Sequence, residues 1–571
     1  MHPMKLTLAR FLLVVLAAMS WRVPANAAAP HRVKQPADLI VVNALVHTVD
    51  PAAPRAAAFA VREGRIVAVG ANEEVRAMAG EATVVVDAGG KAVVPGFFDA
   101  HLHPRAIFPD DSPLARVECG PDKAPDLAAL IAALRDKAAI TPKGMAIRGL
   151  GYEDTKLGRH PTRVDLDAAS TDHPIIITHS SGHMAVANSL AFSLSRIDAS
   201  TKDPAGGEID RDANGEPTGL LREGAMSLIR LRGEGINPVM SASDRTRGLL
   251  ACFDQYLAAG ITAVGIAGAD PDDLRAYRAA NDTRHTVRMY VMMKPEQIEE
   301  TASQAAAGAR EDAWIRLGGV KFYHGNSLSG RTCWLFEPYA DRPDYYGMKP
   351  ARSQEALDAL VMKVHSAGLQ ACVHANGDRE IDMVLDAIEK ALAARPNADH
   401  RHRIEHGSVV NQRILDRVKA LGVVLAPHSY IWEHGDKMEA YGERRWPMMH
   451  PNGSAVRMGI PACGNSDSPV SPAIPMLRIQ DLVTRRSKEG KVYGGEQAIS
   501  ASDALMLWTR GSAFACFWER DLGTIAPGKL ADFVVLDGDP LTTPGDQLRE
   551  IRVVETYVGG LRVWPRESAA E

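Results

Sequence analysis

"SQEALDALVMKVHSAGLQACVHANG", Ser353 to Gly377, holds one helix, one turn and one strand. Leu357, Leu360, Val361 and Val364 recur at helical spacing, Gly368 stops the helix, and the apolar run that follows ends in His374. The same unit recurs. "DRTRGLLACFDQYLAAG" leads into "ITAVGIAG", "REIDMVLDAIEKALAA" into "HRIEHG", and "NQRILDRVKALG" into "VVLAPHS". Helices of roughly 10–16 residues alternating with strands of roughly 5–7 predict parallel βα units. One strand ends at His101 and others centre near Val264, Tyr290, Lys321, Val373, Ile404, Leu425 and Cys463. That is the strand number of a closed (β/α)8 TIM barrel. An open doubly wound sheet is the competing α/β architecture.

The flanks read differently. From Leu39 to Val94, short β-rich runs are punctuated by Gly64, Gly70 and Gly89-Gly90, and the pattern returns in "GTIAPGKLADFVVLDGDPL" and "IRVVETYVGGLRVWP". Residues 36–95 and 521–565 are therefore expected to form one flanking β-sandwich from both termini, with the barrel spanning 96–515. Residues 105–243 break the βα rhythm with extra strands and turn-rich text, and are read as a large insertion after the first barrel strand.

Residues 1–27 resemble a signal peptide: Lys5 and Arg10, the apolar run "FLLVVLAAMSW", and Ala25-Asn26-Ala27 as a small-residue cleavage site. This predicts an exported protein, periplasmic or secreted; an uncleaved anchor is the other reading. Losing Lys5, Arg10 and Arg22, with no acid among them, takes the net charge from −5 to about −8. A mildly acidic chain argues against nucleic acid as a partner. After cleavage no membrane contact is expected, and a homo-oligomer is compatible with the sequence. The six cysteines are scattered without a C-x-x-C pair and read as buried small hydrophobes.

In such barrels the chemistry sits at the C-terminal strand ends. Those ends carry Asp99, His101 and His103 in "DAHLH", Lys321, His374, His406 and Asp467. Residues i and i+2 of a strand share a face, so His101 and His103 can address one point, and Asp99 with them reads as support. Imidazoles with a carboxylate suit a divalent metal, zinc first, with manganese, iron or nickel as alternatives. Singly, H-x-H is a weak motif, His406 could be a core histidine and Asp467 a turn residue before Pro469. Lys321 lies in apolar text, where an ammonium is costly. Deprotonation, carboxylation by CO2 or an aspartate partner would each relieve it.

"VVPGFFDAHLH", "VKFYHG", "HANGD", "RIEHG", "GNSDSP" and "GTIAPGKLADFVVLD" together resemble the amidohydrolase superfamily, in its branch of YtcJ-like and N-substituted-formamide-deformylase-like proteins. The resemblance runs over nearly the whole chain after residue 27. It implies a (β/α)8 barrel with a β-sandwich and one or two divalent ions. His101 and His103 would hold the buried ion, Lys321 would bridge as N6-carboxylysine, His374 and His406 would hold the second, and Asp467 would be ligand and general base. A divalent metal lowers the pKa of water from about 16 to about 7. The expected reaction is hydrolysis of an amide, formamide or cyclic-amide C–N bond of a small molecule. A lactonase, esterase or phosphotriesterase is the alternative on the same scaffold. His183, in "THSSGHMAVANS", falls where the family pattern puts a polar substrate contact. Tyr323, His324, Trp334 and His428 are further candidates for the substrate pocket, with Tyr430 and Trp432 near them. Trp334 belongs to "SGRTCWLFEPYADRPDYYG", a loop expected to act as a lid.

Overall fold

The repeated βα unit closes on itself. The protein is described here by a computed structural model covering residues 35–566 except 232–234 and 429. The expected signal peptide, 1–27, lies outside the described residues. Seven parallel strands form one sheet: β1 (Phe97–Leu102), β2 (Ile261–Ala269), β3 (Arg288–Met293), β4 (Ile315–Tyr323), β5 (Gln370–Ala375), β6 (Arg403–His406) and β7 (Val424–Pro427). Each pairs with the next in sequence. The stretch at Cys463, expected as the eighth strand, forms no continuous ladder. It still closes the barrel: Leu425 donates its N–H to Pro461 O (2.9 Å), and Ala100 donates to Gly464 O (3.0 Å) on the other side. Pro461 has no N–H to offer. Beyond Gly464 the chain turns into the site: Asp467 N–H bonds His101 O at 2.9 Å.

The quoted helix runs Gln354–Ser366, capped by the Ser353 side chain on Ala356 N–H (3.4 Å) and ended by Gly368 at φ +69°. Its Leu357, Val361 and Val364 are buried in the large cluster between the helices and the outer barrel face. Inside the barrel, Phe98, Ala100, Ala263, Ala267, Tyr290 and Met292 pack with Cys372, Val424 and Cys463. Cys463 is one of six cysteines that are all buried and unpaired, which matches their reading as small hydrophobes.

Strands from both termini share one six-stranded sheet, in which Phe533–Leu536 pairs antiparallel with Ala92–Pro95. A four-stranded sheet packs on it, and Phe59 meets Phe533 edge-on at 5.0 Å between centroids. Between β1 and β2 the insertion builds its own six-stranded mixed sheet over a separate apolar cluster. Among the described residues no helix is long and apolar enough to cross a membrane.

Candidate metal centre

A bulge delivers the two histidines of β1. Pairing with β2 slips between Asp99 and Leu102, so Ala100 packs inside the barrel while His101, its neighbour, also reaches the inner mouth. Simple alternation would have put the two on opposite faces. The bulge presses Ala100 so close to β2 that a Cβ on Gly265 would lie 2.1 Å from Ala100 O. Asp99 does not reach the site. It accepts from the Ser466 hydroxyl (2.5 Å) and the His101 N–H (3.2 Å), tying β1 to the closing segment.

Asp467 is the hub. Its Oδ1 lies 3.3 Å from His103 Nε2 and 3.5 Å from His101 Nε2, and its Oδ2 lies 3.7 Å from His428 Nε2. His101, His103 and Asp467 form one set of donor atoms mutually within 4.8 Å; His406, His428 and Asp467 form a second. Two adjacent cation positions sharing one carboxylate follow from this. His428, expected in the substrate pocket, thus stands among the donors, its ring stacked 4.2 Å from that of His406. His374 falls outside both three-residue sets, with its ring 4.4 Å from that of His406. Two of these residues occupy left-handed backbone, His406 at φ 73° and Asp467 at φ 54°. Such strain persists in non-glycine residues where the surroundings dictate it, commonly at functional sites.

The donors fit a metal. Nδ1 of His374, His406 and His428 are buried with no hydrogen-bond partner. For His374 the Nε2 faces the Asn326 carbonyl at 3.1 Å, which places the proton there and leaves Nδ1 as a lone pair. Burial drives His374 and His406 well below the usual imidazole range, and His428 to about 3, so all three are neutral, the form that ligates. Lys321 is buried with Nζ 3.1 Å from His101 Nε2. Among the described residues no carboxylate lies within 4.0 Å of it, and burial lowers its pKa.

Above these residues opens a cavity of about 540 Å³. Its lining includes His103, Lys321, His374, His406 and Asp467 from the barrel, with Tyr323 at the end of β4 and His324 just past it. The insertion contributes His183 and Glu223, whose side chains bond at 2.7 Å. Burial disfavours the imidazolium, but the Glu223 charge outweighs it and raises the His183 pKa. Trp334 does not border the cavity; Arg379 covers its ring at 4.8 Å. Its loop is packed down instead of standing free as a lid, with Leu335 and Tyr339 buried against Tyr430 and Tyr441. Trp432 lies under Arg549 at 4.2 Å.

Residues 84–564 match the pattern of the amidohydrolase family. This chain belongs to the amidohydrolase family. It is 30% identical over 546 residues to an N-substituted formamide deformylase of Arthrobacter pascens, covering 93% of this chain and 98% of the relative. It is 27% identical to the putative amidohydrolase YtcJ of Bacillus subtilis (strain 168), covering 91% and 98%. The Arabidopsis thaliana protein LONG AFTER FAR-RED 3 is 30% identical, covering 93% and 92%. Among solved structures, an uncharacterized metal-dependent hydrolase of Pyrococcus horikoshii OT3 superposes with a TM-score of 0.69 at 27% identity, covering 89% of this chain and 99% of that one. The protein is a metal-dependent hydrolase of the amidohydrolase superfamily.

The amidohydrolase site has supports that its motifs did not single out. Glu405, one residue before His406, is fully buried; its Oε2 bonds His101 Nδ1 and accepts from Arg403 Nη2 (2.8 Å), and its Oε1 is ion-paired with Arg403 Nε at 2.7 Å. Burial alone would raise its pKa, but the Arg403 charge and His101 hold it at about 2. A carboxylate on Nδ1–H turns the Nε2 lone pair of His101 toward the donor set. Glu380 collects four backbone N–H groups, from Asn326 (3.0 Å), Trp334 (2.8 Å), Asn376 (3.1 Å) and Gly377 (2.8 Å), and so clamps the loops after β4 and β5 together. Parity with His374 could have pointed to Asn376; nothing local in the sequence marks Glu405 or Glu380.

Proposed function

We propose that this amidohydrolase is an exported, zinc-dependent enzyme that hydrolyses the C–N bond of a small amide, N-substituted formamide or cyclic amide. The observation carrying the reading is the pair of donor sets sharing Asp467 at the floor of a closed-barrel cavity. The formamide deformylase among its relatives supports the bond type, and the cavity size suits a small molecule.

His101, His103, His374, His406, His428 and Asp467 would hold one or two ions, with Lys321 as N6-carboxylysine between them. A carbamate there would exchange a buried ammonium, with no carboxylate within 4.0 Å among the described residues, for an anion among cations. When bound, a divalent ion supplies Lewis acidity and makes water acidic enough to attack at neutral pH. Asp467 takes the proton from the attacking water and passes it to the leaving nitrogen. His183, whose protonated form Glu223 favours, donates to the substrate oxygen as negative charge develops there. The insertion walls the cavity and limits water.

The deciding experiment joins elemental analysis of the purified protein to chelation and single-metal add-back. Rates are followed on matched N-formyl amide, lactone and phosphotriester substrates. Activity that vanishes on chelation, returns with zinc and favours the amide supports the reading; metal-independent turnover, or a preference for the lactone or phosphotriester, overturns it. Export is checked by the mature N-terminus, expected at Ala28 in a periplasmic or secreted fraction.

A further inference from the structure

The cavity carries cationic side chains that its own acids do not answer. Glu223 is engaged with His183, the Ser327 N–H (3.2 Å) and the Thr332 hydroxyl (2.5 Å), and Asp467 with the histidines around it. Arg105 lines the same cavity, two residues beyond His103. Among the described residues its guanidinium makes no hydrogen bond, and no carboxylate oxygen lies within 4.0 Å of it, although the residue is partly buried. Arg352, on another part of the lining, bonds only the Tyr323 carbonyl and likewise has no acid within 4.0 Å.

The wall behind Arg105 repeats the pattern. A second cavity of about 410 Å³ shares Arg105 with the first and includes Arg116, again without a hydrogen bond or ion pair among the described residues. Arg245, in that same wall, is paired with Asp273. The wall thus pairs an arginine where a carboxylate is supplied and leaves two without one beside the active cavity. Removing water from an unpaired guanidinium is unfavourable, and a planar fork of donors matches a carboxylate in two parallel bonds.

We propose that the substrate is an anionic amide, whose carboxylate is bound by Arg105 while the amide lies against the donor set. The inference rests on the amide-hydrolase reading and adds the substrate class. Two molecular sources share this chemistry. The carboxylate can sit on the amine side, as in an N-acyl amino acid, or on the acyl side, as in a dicarboxylic acid monoamide. Arg105 is then a specificity-determining residue, with Arg352 and Arg116 adding a positive potential that draws the anion in.

The test compares acid with carboxamide on the metal-loaded full chain: N-acetylglycine against N-acetylglycinamide, and N-methylsuccinamic acid against N-methylsuccinamide. The acid is expected to be favoured about 10- to 100-fold in kcat/KM in one pair, the size of a charge-assisted contact, and that pair identifies the side. Arg105→Gln should bring the preference to near unity through KM, and Arg105→Lys should restore part of it. Lys419→Gln, which removes one exposed surface charge, should leave the preference as it was. No preference in either pair, or a preference that survives Arg105→Gln, overturns the proposal. Binding of 4-oxopentanoate against 4-oxopentanamide, in which CH2 replaces the scissile N–H, is read by calorimetry. It separates the two claims: if no amide is cleaved the hydrolase reading fails, while acid binding that is tighter and weakened by Arg105→Gln still upholds the anion site, and equal binding of both overturns it.

Discussion

Glu405→Gln perturbs the site without touching substrate or any donor atom. The wild-type carboxylate is enclosed with Arg403, both fully buried, and is held at a pKa of about 2 against the ordinary 4.5. That difference corresponds to about 3 kcal/mol favouring the folded, ionised form. Removing one member of a buried pair costs about 3–5 kcal/mol because the remaining charge is left unanswered, so two routes reach the same size. The sign with pH follows. A depressed carboxylate contributes stability above its unfolded pKa, and that contribution is lost as pH falls from about 4.5 toward 2. Denaturant unfolding at pH 7 and pH 3 should therefore show Glu405→Gln losing about 3 kcal/mol at pH 7 and much less at pH 3. Zinc affinity should also fall about 10- to 100-fold, because the anionic acceptor behind His101 Nδ1 becomes a neutral amide that polarises and orients the ring less strongly. The double variant Arg403→Met/Glu405→Leu should recover most of the stability and none of the affinity. Wild-type stability at pH 7 together with undiminished zinc binding in Glu405→Gln would refute the reasoning.

Three other outcomes are expected. Asp467→Asn should lower kcat by about 10²- to 10⁴-fold if the carboxylate moves the proton, with residual metal measured alongside to separate ligation from proton transfer. Gly265→Ala places a Cβ 2.1 Å from Ala100 O, so the β1 bulge must shift; reduced metal content and a lower unfolding midpoint should appear together. Lys437 is buried, donates to Thr155 (2.6 Å) and sits 3.6 Å from Asp154 and 3.8 Å from Glu153 of the insertion. Lys437→Met should cost about 2–4 kcal/mol and make residues 105–243 more open to limited proteolysis.

What could be read from the sequence was what depends on neighbours along the chain. Helix caps, glycine stops and apolar periodicity are local, so seven of the barrel strands, the sandwich halves and the insertion were legible as text. H-x-H, the strand-end histidines and the Asp-Ser-Pro turn stood out for the same reason, because each is a polar residue closing an apolar run. The eighth strand was not, since whether a segment keeps a ladder depends on what both neighbours offer, and Pro461 and the turn into Asp467 limit it here. The setting of Trp334 was not legible either, because an aromatic loop reads alike whether it faces a cavity or, as here, packs down beneath Arg379.

The sequence by itself pointed to the class of chemistry: imidazoles and one carboxylate at the ends of parallel strands predict a divalent metal, and the resemblance its motifs carry implies hydrolysis. Only the tertiary structure decided which atoms meet. Glu405 matters because it touches a histidine 304 residues away, and His428 joins the donors because β7 ends beside Asp467. Arg105 is notable only because, among the described residues, no carboxylate oxygen lies within 4.0 Å of its guanidinium. Contacts and missing contacts of this kind are properties of closure in space, and no spacing along the chain encodes them.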